Sequence, residues 1–284
     1  MPEIAVAIEA VLAEGAERLR LAGVSEARRE ALRLWADLAG VAIPSVLLQA
    51  NEPADPAIAR SFHDQIGRRC LGEPLAHVTG ISGFRHLLLR SDSRALIPRP
   101  ETETLVDLLL SRVRTGRVAD IGTGSGCLAL SLAQEGDFSQ IVAVDRSKEA
   151  LALAHLNRST VGHPIALVQG DLCSALSPAG FDALVSNPPY LTAAEHAGLD
   201  VSVRDWEPEL ALVSGPDGME VIVRLLDEAR RVLRPGGWIA IEVDCSRAAL
   251  AARHADALGW EDVMIHMDLF GRERYLLARR SNGR

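Results

Sequence analysis

An asparagine, two prolines and a tyrosine stand in a row at Asn187-Pro188-Pro189-Tyr190, directly after the mostly apolar run Phe181 to Ser186. The prolines remove two backbone donors and hold φ at about −65°. Asn187, which precedes a proline, is driven towards an extended backbone. The result is a stiff loop with carbonyl oxygens, one side-chain amide, an aromatic face and few N–H groups. It suits a planar ligand that donates hydrogen bonds, such as an –NH2 group on a π system. A rigid turn around a core tyrosine would use the same residues, so the motif needs a structural context.

Three other segments offer that context. Asp120-Ile121-Gly122-Thr123-Gly124-Ser125-Gly126 follows a short apolar run and precedes a helical pattern. Its glycines permit positive φ and close backbone approach to a ligand. Its spacing is G-x-G-x-G, not the G-x-G-x-x-G of dinucleotide sites, and it lacks the Lys and Ser/Thr of a phosphate-binding loop. Asp120 adds a carboxylate, which would repel a pyrophosphate and attract an amino group. Free N–H groups beside a carboxylate suit an amino-acid end. Asp145 closes the next apolar run and can accept both hydroxyls of a ribose; it can equally cap the helix that begins near Ser147. Asp171, with Leu172 beside it, can accept the exocyclic amine of adenine, or it can be a turn residue.

These segments need a scaffold that brings them together. Apolar runs predict strands at 117–121, 140–145, 164–169, 181–186, 237–243, 261–267 and 273–279, with helices at 125–135, 147–158, 217–233 and 246–258. Such alternation predicts a doubly wound, mostly parallel sheet. Only Asp268 to Arg272 separates the last two strands, too short for a crossover helix, so they should form an antiparallel hairpin. Ligands of open α/β sheets bind beyond the carboxyl ends of the strands, where all four loops would converge.

Residues 1–72 predict a small helical domain. Ile4, Ile8, Val11, Leu12 and Leu19 recur at helical spacing over residues 3–40, with Ser25 as a candidate cap for a second helix and Gly40 as its stop. A further amphipathic helix is expected over 57–71. Residues 73–98 read as a linker with a short hairpin, and 99–284 as the sheet domain. Pro100 with Glu101 and Glu103 makes a good helix start. Arg99 and Glu101, stiffened by the flanking prolines, could be a surface ion pair or a clamp over a ligand.

Composition narrows the function classes. The chain has 284 residues, 48% hydrophobic and 24% charged, enough for a sizeable core, and a formal net charge of −8. That balance argues against a non-specific nucleic-acid binder, which needs a basic face. Cys70, Cys127, Cys173 and Cys245 are scattered without metal-ligand spacing, as expected of buried free thiols in a reducing compartment. No apolar run approaches the roughly 20 residues that cross a bilayer, and Met1-Pro2-Glu3 does not open a signal peptide. A cytoplasmic protein without membrane contact is expected.

Over almost its whole length the chain resembles the release-factor glutamine methyltransferases, the HemK/PrmC family. The stretches that carry the resemblance are Gly72 to Gly80 (GEPLAHVTG), Leu96 to Glu103 (LIPRPETE), Asp120 to Gly126 (DIGTGSG), Val185 to Tyr190 (VSNPPY) and Trp206-Glu207-Pro208. The chain departs from the family pattern at Leu172, often an aromatic, at Gly83, often acidic, and at Asp244, near which a glycine is expected. The resemblance implies a Rossmann-like class I methyltransferase sheet with an N-terminal helical domain that helps to dock the substrate. It implies S-adenosylmethionine held by Gly122, Thr123, Gly124, Ser125, Gly126, Asp145, Asp171, Leu172 and Asn187, with Asp120 beside them. It implies a glutamine in the Gly-Gly-Gln loop of peptide-chain release factors, held by Asn187 to Tyr190 with Arg99 and Glu101 nearby.

Asn187, Pro188 and Tyr190 are the expected catalytic group. The Asn187 oxygen and the Pro188 carbonyl would accept the two amide hydrogens, and Tyr190 would pack on the amide plane. No metal is required, because a sulfonium carries its own leaving group. A monomer that binds no nucleic acid directly is expected. Two other readings stay open on the loops alone: a DNA or RNA adenine-N6 methyltransferase, which would need a basic base-flipping surface, and a nucleotide-binding module without catalysis.

Overall fold

The structure is a computed structural model and describes residues 6–282. It divides into two compact units. One contains the chain up to Gly80 together with Val201–Trp206; the other contains Ile81–Asp200 and Glu207 onwards. The helical unit thus runs on to Gly80 rather than ending at residue 72.

In the helical unit, α1 (Ile8–Leu21) buries Ile8, Val11, Leu12, Gly15 and Leu19 on one stripe. The expected earlier start, with Ile4, lies outside the described residues. Helix α2 (Ala27–Ala39) ends at Gly40, whose φ of 66° is a left-handed cap. Ser25 does not cap it: Glu26 holds that position and no side chain bonds there, because the helix begins where Ala27 can be buried. A short helix, α3 (Ile43–Leu48), follows, with Pro44 in its first turn. Helix α4 (Pro56–Cys70) starts on Asp55, whose carboxylate accepts from the N–H groups of Ala57 and Ile58 at 2.7 and 3.2 Å. Trp35 meets Phe62 edge to face, with ring centres 5.5 Å apart. Each large apolar side chain removed from water contributes about 1.5–3 kcal/mol. The expected linker from residue 73 opens instead with α5 (Leu75–Thr79).

The sheet unit begins with an antiparallel hairpin, β1 (Ile81–Phe84) and β2 (Leu87–Arg90). Arg85, in its turn, reaches Glu135 at 2.6 Å and Asp107 at 2.7 Å, fastening the hairpin to two helices. These are α6 (Pro100–Leu110) and α7 (Cys127–Glu135). Between them runs β3 (Thr115–Ile121), followed after α7 by β4 (Asp137–Asp145), α8 (Lys148–Val161), β5 (Ala166–Gln169) and β6 (Phe181–Ser186). The chain continues through the short helices α9 (Ala193–Ala197) and α10 (Val201–Arg204), then α11 (Glu220–Val232), β7 (Leu233–Glu242) and α12 (Ala248–Ala257). It closes with β8 (Trp260–Met267) and β9 (Glu273–Arg280).

The seven-stranded sheet has the order β5-β4-β3-β6-β7-β9-β8. Strands β5 to β7 pair in parallel, and β9 runs antiparallel to both β7 and β8. The expected C-terminal hairpin is therefore present. Side chains alternate across the pleat, so Ala119 and Ile121 join the core under α11 and α12, while Val118 joins the core under α6 and α7. Both faces being covered, every residue of β6 is buried, as a central parallel strand requires. Strands β3, β4, β5 and β6 release their carboxyl ends at one edge, and the candidate loops lie there.

Candidate active site

The glycine loop is shaped by its neighbours. Leaving β3, the N–H groups of Gly122 and Thr123 both donate to the Val144 carbonyl of β4, at 2.8 and 2.9 Å. Gly122 has φ of 72° and open space where a Cβ would stand, so backbone can approach a ligand there. Asp145 completes the bracket. One carboxylate oxygen accepts from Gly124 N–H and the other from Ser147 N–H, each at 2.9 Å. Burial raises the pKa of this carboxyl. The true cap of α8 is Ser147, bonded to Ala150 N–H.

Asp120 sits beneath the loop. It is fully buried and does not line the cavity. One oxygen accepts from the Thr123 hydroxyl at 2.6 Å and from Ala129 N–H at 3.1 Å. The other is buried with no hydrogen-bond partner, and burial pushes the carboxyl up to about 7.

Four strand ends enclose a single cavity of about 1200 Å3, its open mouth included. Gly122 to Ser125, Asp145, Asp171, Leu172, Asn187, Pro188 and Pro189 line it. So do Arg99 and a stretch before α6, Arg94 to Pro98. Its lining, mostly apolar with a few convergent polar groups, is of the kind that small-molecule sites show. Leu172 projects from a backbone with φ of 47°, a strained conformation for a branched side chain. Asp171 is paired with Arg224 of α11 at 2.8 Å. Cys127 also lines the cavity, and burial pushes its thiol up to about 12, away from the thiolate form that a nucleophile needs.

The asparagine loop is fixed at both ends. Before it, the Ser186 hydroxyl donates to the Ile121 carbonyl at 2.7 Å. After it, the N–H groups of Tyr190 and Leu191 donate to the Leu212 carbonyl. Asn187 Nδ2 donates to the Thr102 hydroxyl oxygen at 3.0 Å, and that hydroxyl donates to Glu242 Oε2 at 2.7 Å. Thr102 and Glu242 are buried, and burial pushes Glu242 up to about 7.

Three expectations change. Tyr190 does not line the cavity; tied to Leu212, it packs against the core beneath α11 and α12. Arg99 pairs with Glu207 at 2.6 Å rather than with Glu101, and Glu207 also accepts from Ile97 N–H at 2.9 Å. Glu101 does not line the cavity; its carbonyl accepts from the Tyr275 hydroxyl at 2.7 Å, which anchors the first turn of α6. Of the four thiols, all free, Cys173 alone is buried as expected; Cys70 and Cys127 are half-buried and Cys245 is exposed. Thr102, Glu242 and Arg224 escaped sequence reasoning as site residues. Thr102 stood inside LIPRPETE and Glu242 closed a strand, but their partners are far away in the chain.

A doubly wound parallel sheet with an antiparallel hairpin at one side, carrying a glycine loop, an acidic strand end and an Asn-Pro-Pro-Tyr loop at one edge, defines a methyltransferase of the Rossmann-like class. Comparisons agree. The family described as "Methyltransferase small domain" matches residues 100–203, and "PrmC N-terminal domain" matches residues 10–80. A solved methyltransferase from Pyrococcus furiosus superposes with a TM-score of 0.52 at 21% identity, covering 68% of this chain and 88% of that one, and so shares the fold. The release factor glutamine methyltransferase of Deinococcus radiodurans is 40% identical over 96% of this chain and 98% of its own length. Those of Moorella thermoacetica and Streptomyces coelicolor are 38% and 36% identical, over 95% and 96% of this chain and 97% and 98% of theirs. This chain belongs to the release factor glutamine methyltransferase family.

Proposed function

We propose that the chain transfers a methyl group from S-adenosylmethionine to the side-chain amide nitrogen, N5, of the glutamine in the Gly-Gly-Gln loop of peptide-chain release factors. What supports the reading, beside the family, is one observation: the glycine loop, Asp145, Leu172 and Asn187–Pro189 line the same cavity. The residues fit the cofactor. Each Asp145 oxygen that accepts one N–H keeps acceptor capacity for a ribose hydroxyl. Leu172 offers an apolar face to a base, and Gly122 leaves room for close backbone approach. When bound, S-adenosylmethionine supplies the methyl group on a sulfonium, with a neutral sulfide as leaving group.

The protein's task is to present a poor nucleophile. An amide nitrogen shares its lone pair with the carbonyl. The Asn187 oxygen and the Pro188 carbonyl would accept the two amide hydrogens, aim the nitrogen and favour its lone pair as conjugation is lost. As the new N–C bond forms, one of the two amide hydrogens leaves the nitrogen as a proton released to solvent, so that the methylated amide is neutral. Positioning of this kind contributes about 7–11 kcal/mol in favourable cases, and fixed acceptors stabilise charge as it develops on nitrogen. Arg99, held by Glu207, and the Pro189 ring would border the glutamine.

The partner is then a protein, met in the cytoplasm by a monomer that needs no nucleic acid. Among the described residues, no helix is long and apolar enough to cross a membrane.

Radiolabelled methyl donor with purified release factor, or with DNA or RNA, followed by peptide and nucleoside mapping, tests this. Label is expected on the glutamine. Asn187→Ala should lower turnover on the order of 100-fold and change cofactor affinity, measured by calorimetry, little. Label on adenine, or wild-type turnover in Asn187→Ala, would overturn the reading.

A further inference from the structure

The side-chain amide of asparagine has two ends of nearly identical shape, and only one of them can receive the hydrogens of another amide. If Asn187 turned its nitrogen to the cavity, it would meet a donor with a donor. Something must hold the oxygen outward. The immediate partner, the Thr102 hydroxyl, cannot do so alone, because a hydroxyl both donates and accepts. It could serve either end of the amide.

The carboxylate behind it breaks the tie. Ionised Glu242 only accepts, so the Thr102 hydrogen is committed to Glu242 Oε2 at 2.7 Å. What Thr102 then offers Asn187 is a lone pair, and a lone pair selects the nitrogen, 3.0 Å away. We infer that Glu242 is a positioning residue for methyl transfer, which fixes through Thr102 the end of the Asn187 amide that meets the substrate. The inference rests on the glutamine reading above.

The frame around the relay is suited to the task. Glu242 ends β7, and Ile241 beside it pairs with Ser186, the residue before Asn187. On the other side Glu242 is paired with Tyr275 of β9, whose hydroxyl locks the first turn of α6 and hence Thr102. Thr102 and Glu242 are 2% and 1% exposed, so bulk water has little access to either. Burying a carboxylate is costly, and a role in orienting the amide accounts for its presence.

The relay is directional only while Glu242 is ionised. Once protonated, Glu242 can donate to Thr102, which frees the Thr102 hydrogen for the amide oxygen and lets the amide turn over. Burial pushes Glu242 up to about 7, so the loss falls near neutrality. The charged and titratable groups around it are Arg274 on β9, Arg99 and Glu101 at the start of α6, Tyr190, Tyr275 and Cys127. Arg274 and Arg99 favour the ionised form and Glu101 opposes it.

Steady-state kinetics on the intact release factor test the relay. Glu242→Gln and Thr102→Val should each lower kcat about tenfold or more, with KM and cofactor affinity nearly unchanged. Thr102→Ser should recover most of the turnover lost in Thr102→Val. Wild-type kcat should fall as pH drops through about 7, and Glu242→Gln should lose that limb. If Glu242→Gln does not fold, the Thr102 pair decides alone. Wild-type kcat in Glu242→Gln or in Thr102→Val overturns the relay, and if Asn187→Ala remains inactive it does so without touching the glutamine reading. A wild-type enzyme that leaves the release factor unlabelled overturns the reading, and the relay with it.

Discussion

At the scale of residues, the site keeps two carboxyl groups out of water, and this sets stability against function. Asp120 is pushed by burial from 3.8 to about 7, and Glu242 from 4.5 to about 7. The unfolded chain gives up these protons near the ordinary carboxylate values, whereas the folded chain keeps them until about pH 7. Their contribution to stability is therefore complete below the ordinary values and is lost as pH rises through that window. Asp120→Asn cannot ionise, so its Tm should fall less steeply between about pH 4 and 7 than that of the wild type. Equal slopes in calorimetric scans would show that Asp120 does not carry the effect. The individual acids were visible in the sequence as strand ends, but their partners were not. Glu242 meets Thr102 across 140 residues, and Arg99 meets Glu207 across 108. No spacing rule reaches that far, which is why Glu101, the near neighbour, looked like the mate of Arg99.

Elements were more legible than contacts, because each parallel strand is an apolar run ending in a residue with a task. Asp145, Gln169 and Ser186 close β4, β5 and β6, and those runs announce themselves by composition. The short helices α3, α5, α9 and α10 were missed, since four to six residues hold too little periodicity to register. The position of Gly15 could not be interpreted from sequence either. A Cβ there would stand 2.5 Å from the Phe62 ring, so α1 and α4 approach through that glycine. Gly15→Ala should destabilise the helical unit by about 1–3 kcal/mol, read as a lower thermal transition. An unchanged transition would mean that the ring moves aside freely.

For the molecule as a whole, the order of the chain and the order of the units differ. The polypeptide leaves the helical unit at Gly80, returns to it for Val201–Trp206, and enters the sheet unit again at Glu207. Val201 and Trp206 side chains lie 3.2 and 3.7 Å from where a Cβ of Gly72 would be, so the returning strip is packed and not a stray tail. The helical unit is thus written in two places in the gene. A chimera that takes only the N-terminal segment from a relative pairs it with a foreign strip, and it should melt at a lower temperature than one that takes both. Equal melting temperatures would show the strip to be interchangeable. Ten residues separate Tyr190 from Val201, where the strip begins. Recombination between relatives can exchange the whole helical unit only with further crossovers in the stretch that follows the Asn-Pro-Pro-Tyr loop.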